Sequence, residues 1–450
     1  MKNPFPPAFE TRMHTSLQHE WAEFSSVHDD TPPVSIRINP AKNNAPIETG
    51  VPWTAFGKYL SQRPVFTLDP TFHAGSYYVQ EASSMFLEQA VKQSVDLSQP
   101  LRVLDLCAAP GGKSTHLISL ISSDSLLVAN EVIRSRSTTL SENIQKWGHP
   151  NVIVCNNDPE DFQHLAGFFD LVVVDAPCSG EGLFRKDPAA MEEWSPENVG
   201  LCSQRQQRIL NDVWPALKEN GILIYCTCTY NEQENEDNLS WLGQQKNLES
   251  VELKTKDTWG VQEACKGNVT GYRFLPHRLK GEGFFIAALR KTEQEIPSRT
   301  RSKFSFTSPS GRTSDQLREW VRESSRFQFI NQNDLILMIP SRYSSDIAWL
   351  SERLKLFNKG TALASLKHEK LVPEHAGALS IALQKESFTQ VQLNKEQALA
   401  YLRKDTLLLG EGKRGFALAM NEDLALGWVN LLGNRVNNLY PASWRIRMGS

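Results

Sequence analysis

The chain has 450 residues, too many for one hydrophobic core, so about two to four domains of ordinary size are expected. Its 40% hydrophobic and 22% charged content is that of a globular protein, and no apolar run approaches the ~20 residues that span a bilayer. A net charge of −3 excludes a global electrostatic attraction to nucleic acid and leaves any such binding to local basic patches.

The opening MKNPFPPAFE has no apolar stretch of the signal-peptide kind, and the seven cysteines are scattered and odd in number. Both point to a reduced, cytoplasmic setting. Residues 1–100 read as a separate N-terminal extension. Residues 9–24 are expected to form one helix, with Phe9, Met13, Leu17, Trp21 and Phe24 on an apolar face packed against the next domain. VSIRINP (34–40) alternates like a strand, with Arg37 and Asn39 facing away from Ile36 and Ile38. GSYYVQEASSM leads into a helix from Gln80 to about Lys92. Tyr77, Tyr78 and Gln80 fit either a ligand-lining role or a hydrogen-bonded core.

The chain is organised around LRVLDLCAAPGGKSTHL (101–117). Its apolar start is that of a buried parallel strand, Pro110, Gly111 and Gly112 break it, and a helix begins at Lys113. Strand, glycine turn and helix bring backbone N–H groups and a positive dipole end to a sheet edge, a site for a cofactor. GGKS resembles the tail of a nucleotide-binding P-loop. That motif needs glycine where this chain has Cys107, so a non-nucleotide ligand is expected.

Further strands are expected at 126–130, 151–155, 171–175, 222–228 and 284–289, with helices at 132–147 and 196–217 between them. This alternation predicts an α/β fold with a doubly wound, mostly parallel sheet in a domain spanning 101–292. Glu131, Asp158 and Asp175 fall at successive strand ends. Glu131 lies about 20 residues beyond the glycine turn, the place of a ribose-binding acid. Singly, Glu131 and Asp158 read as solvated strand ends; together they point to an adenosine-type ligand.

Residues 293–314 belong to a polar Ser/Thr/Pro-rich linker with Arg299, Arg301 and Lys303. The region 315–450 carries strand-like stretches at 335–340, 406–410, 416–420 and 424–433, which suggest a small β-rich barrel. A chain ending near Lys291 is expected to keep its cofactor site.

The fourth and fifth strands of the sheet end in DAPCSGEG (175–182) and YCTCTYNEQENE (225–236). Neither C-x-x-C spacing nor a histidine cluster is present, so no metal site is expected. Asn231 with Glu234 looks like a capping box, which places Cys228 in the strand-to-helix turn and Cys226 inside the strand. Cys178 and Cys228 thus top adjacent strands beside the cofactor edge, where a helix N-terminus or a cation makes a thiol reactive.

With CAAPGGK (107–113), WSPE (194–197), RFLPH (273–277) and GEGFFIA (281–287), these motifs resemble the RNA cytosine-C5 methyltransferases of the Nol/Nop/Sun type, over nearly the whole chain. The resemblance implies a Rossmann-like S-adenosylmethionine-dependent methyltransferase sheet, an N-terminal RNA-binding extension and a β-rich, PUA-like C-terminal module. It implies S-adenosyl-L-methionine held by Cys107, Ala108, Ala109, Pro110, Gly111, Gly112, Lys113, Glu131, Asp158 and Asp175. It also implies Cys228 as nucleophile, Cys178 assisting product release, and Asp175 steadying the adduct at ring nitrogen 3. The arrangement is closest to bacterial members acting on small-subunit (16S) ribosomal RNA. A transfer-RNA substrate and an RNA-binding assembly role are the alternatives. Where relatives often have serine before TCT, this chain has Cys226.

A monomer that binds RNA and no membrane is expected. Candidate RNA contacts are Arg134, Arg136, Lys186, Arg205 and Arg208 at the mouth, and Arg273, His277, Arg278 and Lys280 before the last strand. At the C-terminus Arg435, Arg445 and Arg447 stand with Trp428, Tyr440 and Trp444, which combine charge with stacking surfaces.

Overall fold

Two short helices open the chain, α1 (Pro7–Leu17) and α2 (Trp21–Val27), where one was expected. The chain breaks at Gln18, whose φ is 51°, and a 3₁₀ turn follows. The break folds α2 back so that Phe24 rejoins Phe5 and Phe9, with ring centroids 6.4 Å apart in each case. Phe9, Met13, Leu17 and Phe24 are buried there with Phe184, Trp194 and Tyr230 of the following domain, while Trp21 is only half-buried. The computed structural model describes residues 4–44, 46–298, 302–368, 370–407, 414–433 and 435–448. Arg299, Arg301 and residues 408–410 of the expected strand at 406–410 lie outside them.

Three antiparallel strands follow, β1 (Val34–Ile38), β2 (Gly57–Leu60) and β3 (Tyr77–Val79), in the order β2-β1-β3. The alternation of β1 does not give a wet face, because Arg37 and Asn39 are both fully buried. Arg37 donates to the Gln80 side chain and to the carbonyls of Gly112 and Thr115, and its guanidinium lies 4.5 Å from the Trp147 ring. Burial pulls its pKa down to about 9. The N-terminal layer therefore braces the glycine turn from behind. Gln80 is used up in that contact, and the Tyr77 hydroxyl donates to Asp69, which makes both core residues. After α3 (Pro70–His73), the helix expected from Gln80 begins as a 3₁₀ turn and becomes α4 (Leu87–Ser94).

The central sheet is built from β4 (Arg102–Asp105), β5 (Leu126–Asn130), β6 (Val152–Cys155), β7 (Phe169–Asp175), β8 (Leu217–Thr227), β9 (Leu248–Ser250), β10 (Gln262–Lys266), β11 (Val269–Phe274) and β12 (Phe284–Lys291). Its order is β10-β11-β12-β8-β7-β4-β5-β6, with β9 beside β12. β4 to β8 are parallel and β9 to β12 antiparallel. Helices α5 (Gly112–Leu120), α6 (Arg134–Trp147), α7 (Pro188–Glu193), α8 (Pro196–Val213) and α9 (Glu236–Gln245) connect the strands. α6 stops at Gly148, which takes φ 88°; α8 starts at Ser195, whose hydroxyl accepts the Asn198 N–H, with Pro196 at the first turn. Strand order reverses between β4 and β7, so a crevice opens over their carboxyl ends.

Beyond the linker lie two four-stranded sheets rather than one barrel. The first holds β13 (Phe327–Gln332), β14 (Leu335–Pro340), β16 (Thr361–Lys367) and β17 (Lys370–Pro373). The second holds β18 (Thr389–Gln392), β19 (Gly415–Asn421), β20 (Leu424–Leu431) and β21 (Val436–Asn438). The described part of the strand expected at 406–410, Thr406 and Leu407, lies in no strand. Between β14 and β16 of the first sheet, β15 (Leu356–Asn358) pairs antiparallel with β6 and extends the central sheet. Trp349 stacks on Phe168 at 5.2 Å, and Arg102 reaches Asp346 at 2.8 Å. Ile330, Ile339, Trp349 and Leu350 share one core with Leu126 and Phe169. This packing bears on a chain ending near Lys291: removing the remainder uncovers the core of the sheet that carries the cofactor crevice.

Candidate active site

The crevice is a cavity of about 610 Å³ whose lining includes Cys107, Lys113, Glu131, Asp175, Cys178 and Cys228. One end is the glycine turn. Gly111 caps α5 in a left-handed conformation, φ 114°, and a Cβ there would stand 3.3 Å from Leu140. Ala108 is buried and donates its N–H to the Asn130 carbonyl at 2.8 Å. The carbonyls of Ala109 and Pro110 accept from Arg136 and Asn143, at 2.7 and 2.8 Å. Gly112 opens α5, 3.4 Å short of the Tyr78 ring were a Cβ present. Lys113 forms an ion pair with Asp175 at 2.7 Å. Burial works against the lysine charge, but Asp175, Cys226 and Asp105 together outweigh it and hold the ammonium above its ordinary pKa.

Glu131 is buried at the end of β5, accepting the Ile133 N–H at 2.9 Å, with Arg136 3.4 Å away. Asp158 sits at the rim instead. It caps the turn at Pro159 and pairs with Arg208 through two contacts of 3.0 and 3.2 Å. Asp105 lies fully buried at the end of β4. One of its oxygens accepts the Ser114 hydroxyl at 2.6 Å; the other has no donor among the described residues. Burial raises its pKa to about 7. A carboxyl raised in the folded state gives stability that is full at acid pH and is lost as pH climbs to 7. Asp105→Asn is expected to flatten the stability–pH profile between pH 4 and 7 by up to about 1.4 kcal/mol per pH unit. Urea titrations of both proteins across that range check it.

The other end of the cavity holds the thiols. Asp175 ends β7 opposite Cys226 of β8; Cys226 is fully buried within the strand, and Cys228 follows the strand's last residue. Cys178 Sγ and Cys228 Sγ are 3.1 Å apart, and both cysteines are free. The contact with Cys228, followed by burial, pushes the Cys178 thiol well above its ordinary pKa. The arrangement brings two touching free thiols, one with a raised pKa, into one cavity with the ion-paired carboxylate of Asp175.

Several sequence candidates are placed elsewhere. Arg136, Arg205 and Arg208 line the cavity, and Arg134 is exposed nearby. Arg273 is instead buried against Glu236, and His277 and Arg278 both bind Glu20, at 2.8 and 2.5 Å. Trp428 and Tyr440 offer no stacking surface, since both are fully buried: the Trp428 N–H donates to the Glu374 carbonyl, and Tyr440 packs on Tyr401. Trp444 is half-buried against His375, while Arg435, Arg445 and Arg447 are exposed. Glu234 is no capping partner; its carboxylate holds Ser179, and the Asn231 side chain accepts from the Gln233 N–H. The cavity also takes in Glu81, Leu183 and Glu282, for which single-residue reading has no signal.

Residues 93–290 match the family described as 16S rRNA methyltransferase RsmB/F. Residues 5–82 match the N-terminal domain of 16S rRNA methyltransferase RsmF, and residues 388–446 the methyltransferase RsmF PUA domain. The chain is 30% identical over 408 residues to ribosomal RNA small subunit methyltransferase F of Shewanella sediminis (strain HAW-EB3), covering 87% of this chain and 84% of that one. It is 29% identical over 463 residues to the protein so named in Escherichia coli O157:H7 (strain EC4115 / EHEC), covering 97% and 96%. A methyltransferase homolog protein from Pyrococcus horikoshii superposes with TM-score 0.51 at 27% identity, over 60% of this chain and 90% of that one.

Proposed function

We propose methylation of cytosine carbon 5 in small-subunit ribosomal RNA for this chain, which belongs to the 16S rRNA methyltransferase RsmB/F family. Membership makes it an S-adenosyl-L-methionine-dependent rRNA methyltransferase with a Rossmann-like sheet, an N-terminal domain and a C-terminal PUA domain. The proposal adds the atom, the residues and the boundaries: extension 1–100, methyltransferase domain 101–292, linker 293–314 and a C-terminal region 315–450. Among the described residues no helix is long and apolar enough to cross a membrane. The observation that carries the reading is the pair of touching thiols in one cavity with the glycine turn and Glu131.

The cavity fits the cofactor. Its size is within the ~300–1,000 Å³ of small-ligand sites, Cys107, Ala109 and Lys113 from the glycine turn line it, and the buried Glu131 is placed for a ribose. Cys107 to Lys113, Glu131, Asp158 from the rim, and Asp175 would hold it. When bound, S-adenosyl-L-methionine supplies an electrophilic methyl group. Cytosine carbon 5 is too poor a nucleophile to take that group unaided. Cys228 thiolate adds to carbon 6, forming an S–C bond and shifting electron density to carbon 5, so one hard step becomes two easier ones. Asp175 stands to deliver a proton to ring nitrogen 3 as the adduct forms, the resulting carboxylate being held by Lys113. After methylation a base removes the carbon-5 proton, the pair of electrons re-forms the ring double bond, and Cys228 leaves as thiolate. Cys178, in contact with the departing sulfur, assists that release. The target base must leave its stack to reach Cys228.

Glu131→Ala is expected to weaken S-adenosyl-L-methionine binding roughly ten-fold, the loss of one charged hydrogen bond. Calorimetry checks it. Bisulfite mapping of ribosomal and transfer RNA from cells with and without the protein tests the function. A cytosine in small-subunit RNA that loses protection in the deletion supports it; protection lost only in transfer RNA overturns the substrate.

A further inference from the structure

Cys178 and Cys228 ride on two loops drawn from sequence segments 50 residues apart, and glycines 180 and 182 give the first loop little stiffness of its own. Each loop nevertheless carries a buried carboxylate that grips the other. Glu181, three residues after Cys178, accepts the Tyr230 N–H at 3.2 Å and the Asn231 side-chain amide at 3.1 Å, just beyond Cys228. Trp194 and Arg12 complete its coordination, at 3.0 and 2.5 Å. Glu234, six residues after Cys228, accepts the Ser179 N–H at 2.8 Å and the Ser179 hydroxyl at 2.5 Å, next to Cys178. Gln206 donates to Glu234 and to the Pro177 carbonyl, 3.0 Å each, so both neighbours of Cys178 are tied down. The loops are also joined directly, through the Gly182 N–H to the Cys228 carbonyl at 2.8 Å.

From this crossed arrangement we infer that Glu181 and Glu234 are reciprocal positioning residues, which set the separation of the two thiols for the reaction proposed above. The inference rests on that reading for its purpose, though not for its geometry. Both carboxylates are fully buried and engaged on both oxygens by donors. Such a group does more than fill space: an amide in its place turns one acceptor into a donor, which then faces an N–H or O–H. Glu234 has a second effect. Its charge lies close enough to add to the contact with Cys228 and the burial that push the Cys178 thiol up. A displacement of about 1 Å between reacting groups costs on the order of 10²-fold in rate.

The test compares the full-length wild type with Glu181→Gln, Glu234→Gln and the exposed control Glu160→Gln. Diamide, an azo oxidant, joins two thiols as a disulfide and becomes the hydrazine with their two protons, so its rate of closing Cys178–Cys228 reports their spacing without any RNA. Peptide mapping reads that rate and calorimetry reads S-adenosyl-L-methionine affinity. Expected are disulfide closure at least roughly ten-fold slower in Glu181→Gln and Glu234→Gln, cofactor affinity within about two-fold, and a turnover loss with little change in KM for RNA. Closure at the wild-type rate in both variants overturns the inference. If Glu234→Gln does not fold, Ser179→Ala, which removes one hydroxyl with its contacts to Glu234 and Thr229, must slow closure; wild-type closure there overturns it equally. Slow closure in the variants, in a protein whose wild type makes no 5-methylcytosine, upholds the positioning and defeats the proposed reaction.

Discussion

Cys228→Ala is expected to abolish methyl transfer and to form no covalent complex with RNA, whereas Cys178→Ala accumulates a methylated protein–RNA adduct that survives denaturing electrophoresis. The two thiols are 3.1 Å apart, so distance alone does not divide their work. Their surroundings do. Cys178 is held protonated by its contact with Cys228, by burial and by nearby carboxylate charge, a poor state for a nucleophile and a good one for meeting a departing sulfur. Cys228 follows the end of β8, with its carbonyl pinned by Gly182. Without Cys228 no S–C bond forms; without Cys178 the bond forms and does not break, with turnover lowered by about 10²–10⁴-fold. Equal phenotypes would contradict separate roles, and a trapped complex from Cys228→Ala alone would reverse the assignment.

Trp349→Ala is expected to destabilise the whole enzyme by about 3–5 kcal/mol, measured by urea unfolding, although Trp349 lies beyond the linker and outside the crevice. Its side chain is fully buried and stacked on Phe168, which packs edge-on against Phe169 at the start of β7. The same core continues through Leu126 of β5 to Val174, one residue before Asp175. A chain cut near Lys291 uncovers this surface and is expected to lose S-adenosyl-L-methionine binding and cooperative unfolding. A truncated protein that melts and binds cofactor like the full chain would show that the C-terminal region is merely appended.

Local signals made the parallel core readable. Continuous apolar runs, a glycine turn and a serine–proline helix start are set by neighbours in sequence, and β5 spans the expected 126–130. β10 and β11 were illegible because their residues alternate weakly and pair only with each other and β12. Arg37 shows the limit most plainly. Alternation sets it on the face opposite Ile36 and Ile38, yet that face is buried too, and the guanidinium becomes a brace for the glycine turn. Trp428 and Tyr440 fail in the same direction: aromatic surface suited to bases is equally suited to a core, and a module this small needs its aromatics inside. Glu181 and Glu234 stood within quoted motifs, but their partners lie about 50 residues away, and no one-dimensional spacing records a contact between two loops.

The central claim is transfer to carbon 5 of cytosine through Cys228, and a hydrogen isotope reads it most directly. Small-subunit RNA carrying tritium at cytosine carbon 5 is incubated with the wild type and S-adenosyl-L-methionine. One tritium released to water for every methyl group gained, and neither event with Cys228→Ala, is the expected result. Methyl groups gained without release of tritium would place the transfer on another atom and contradict the mechanism.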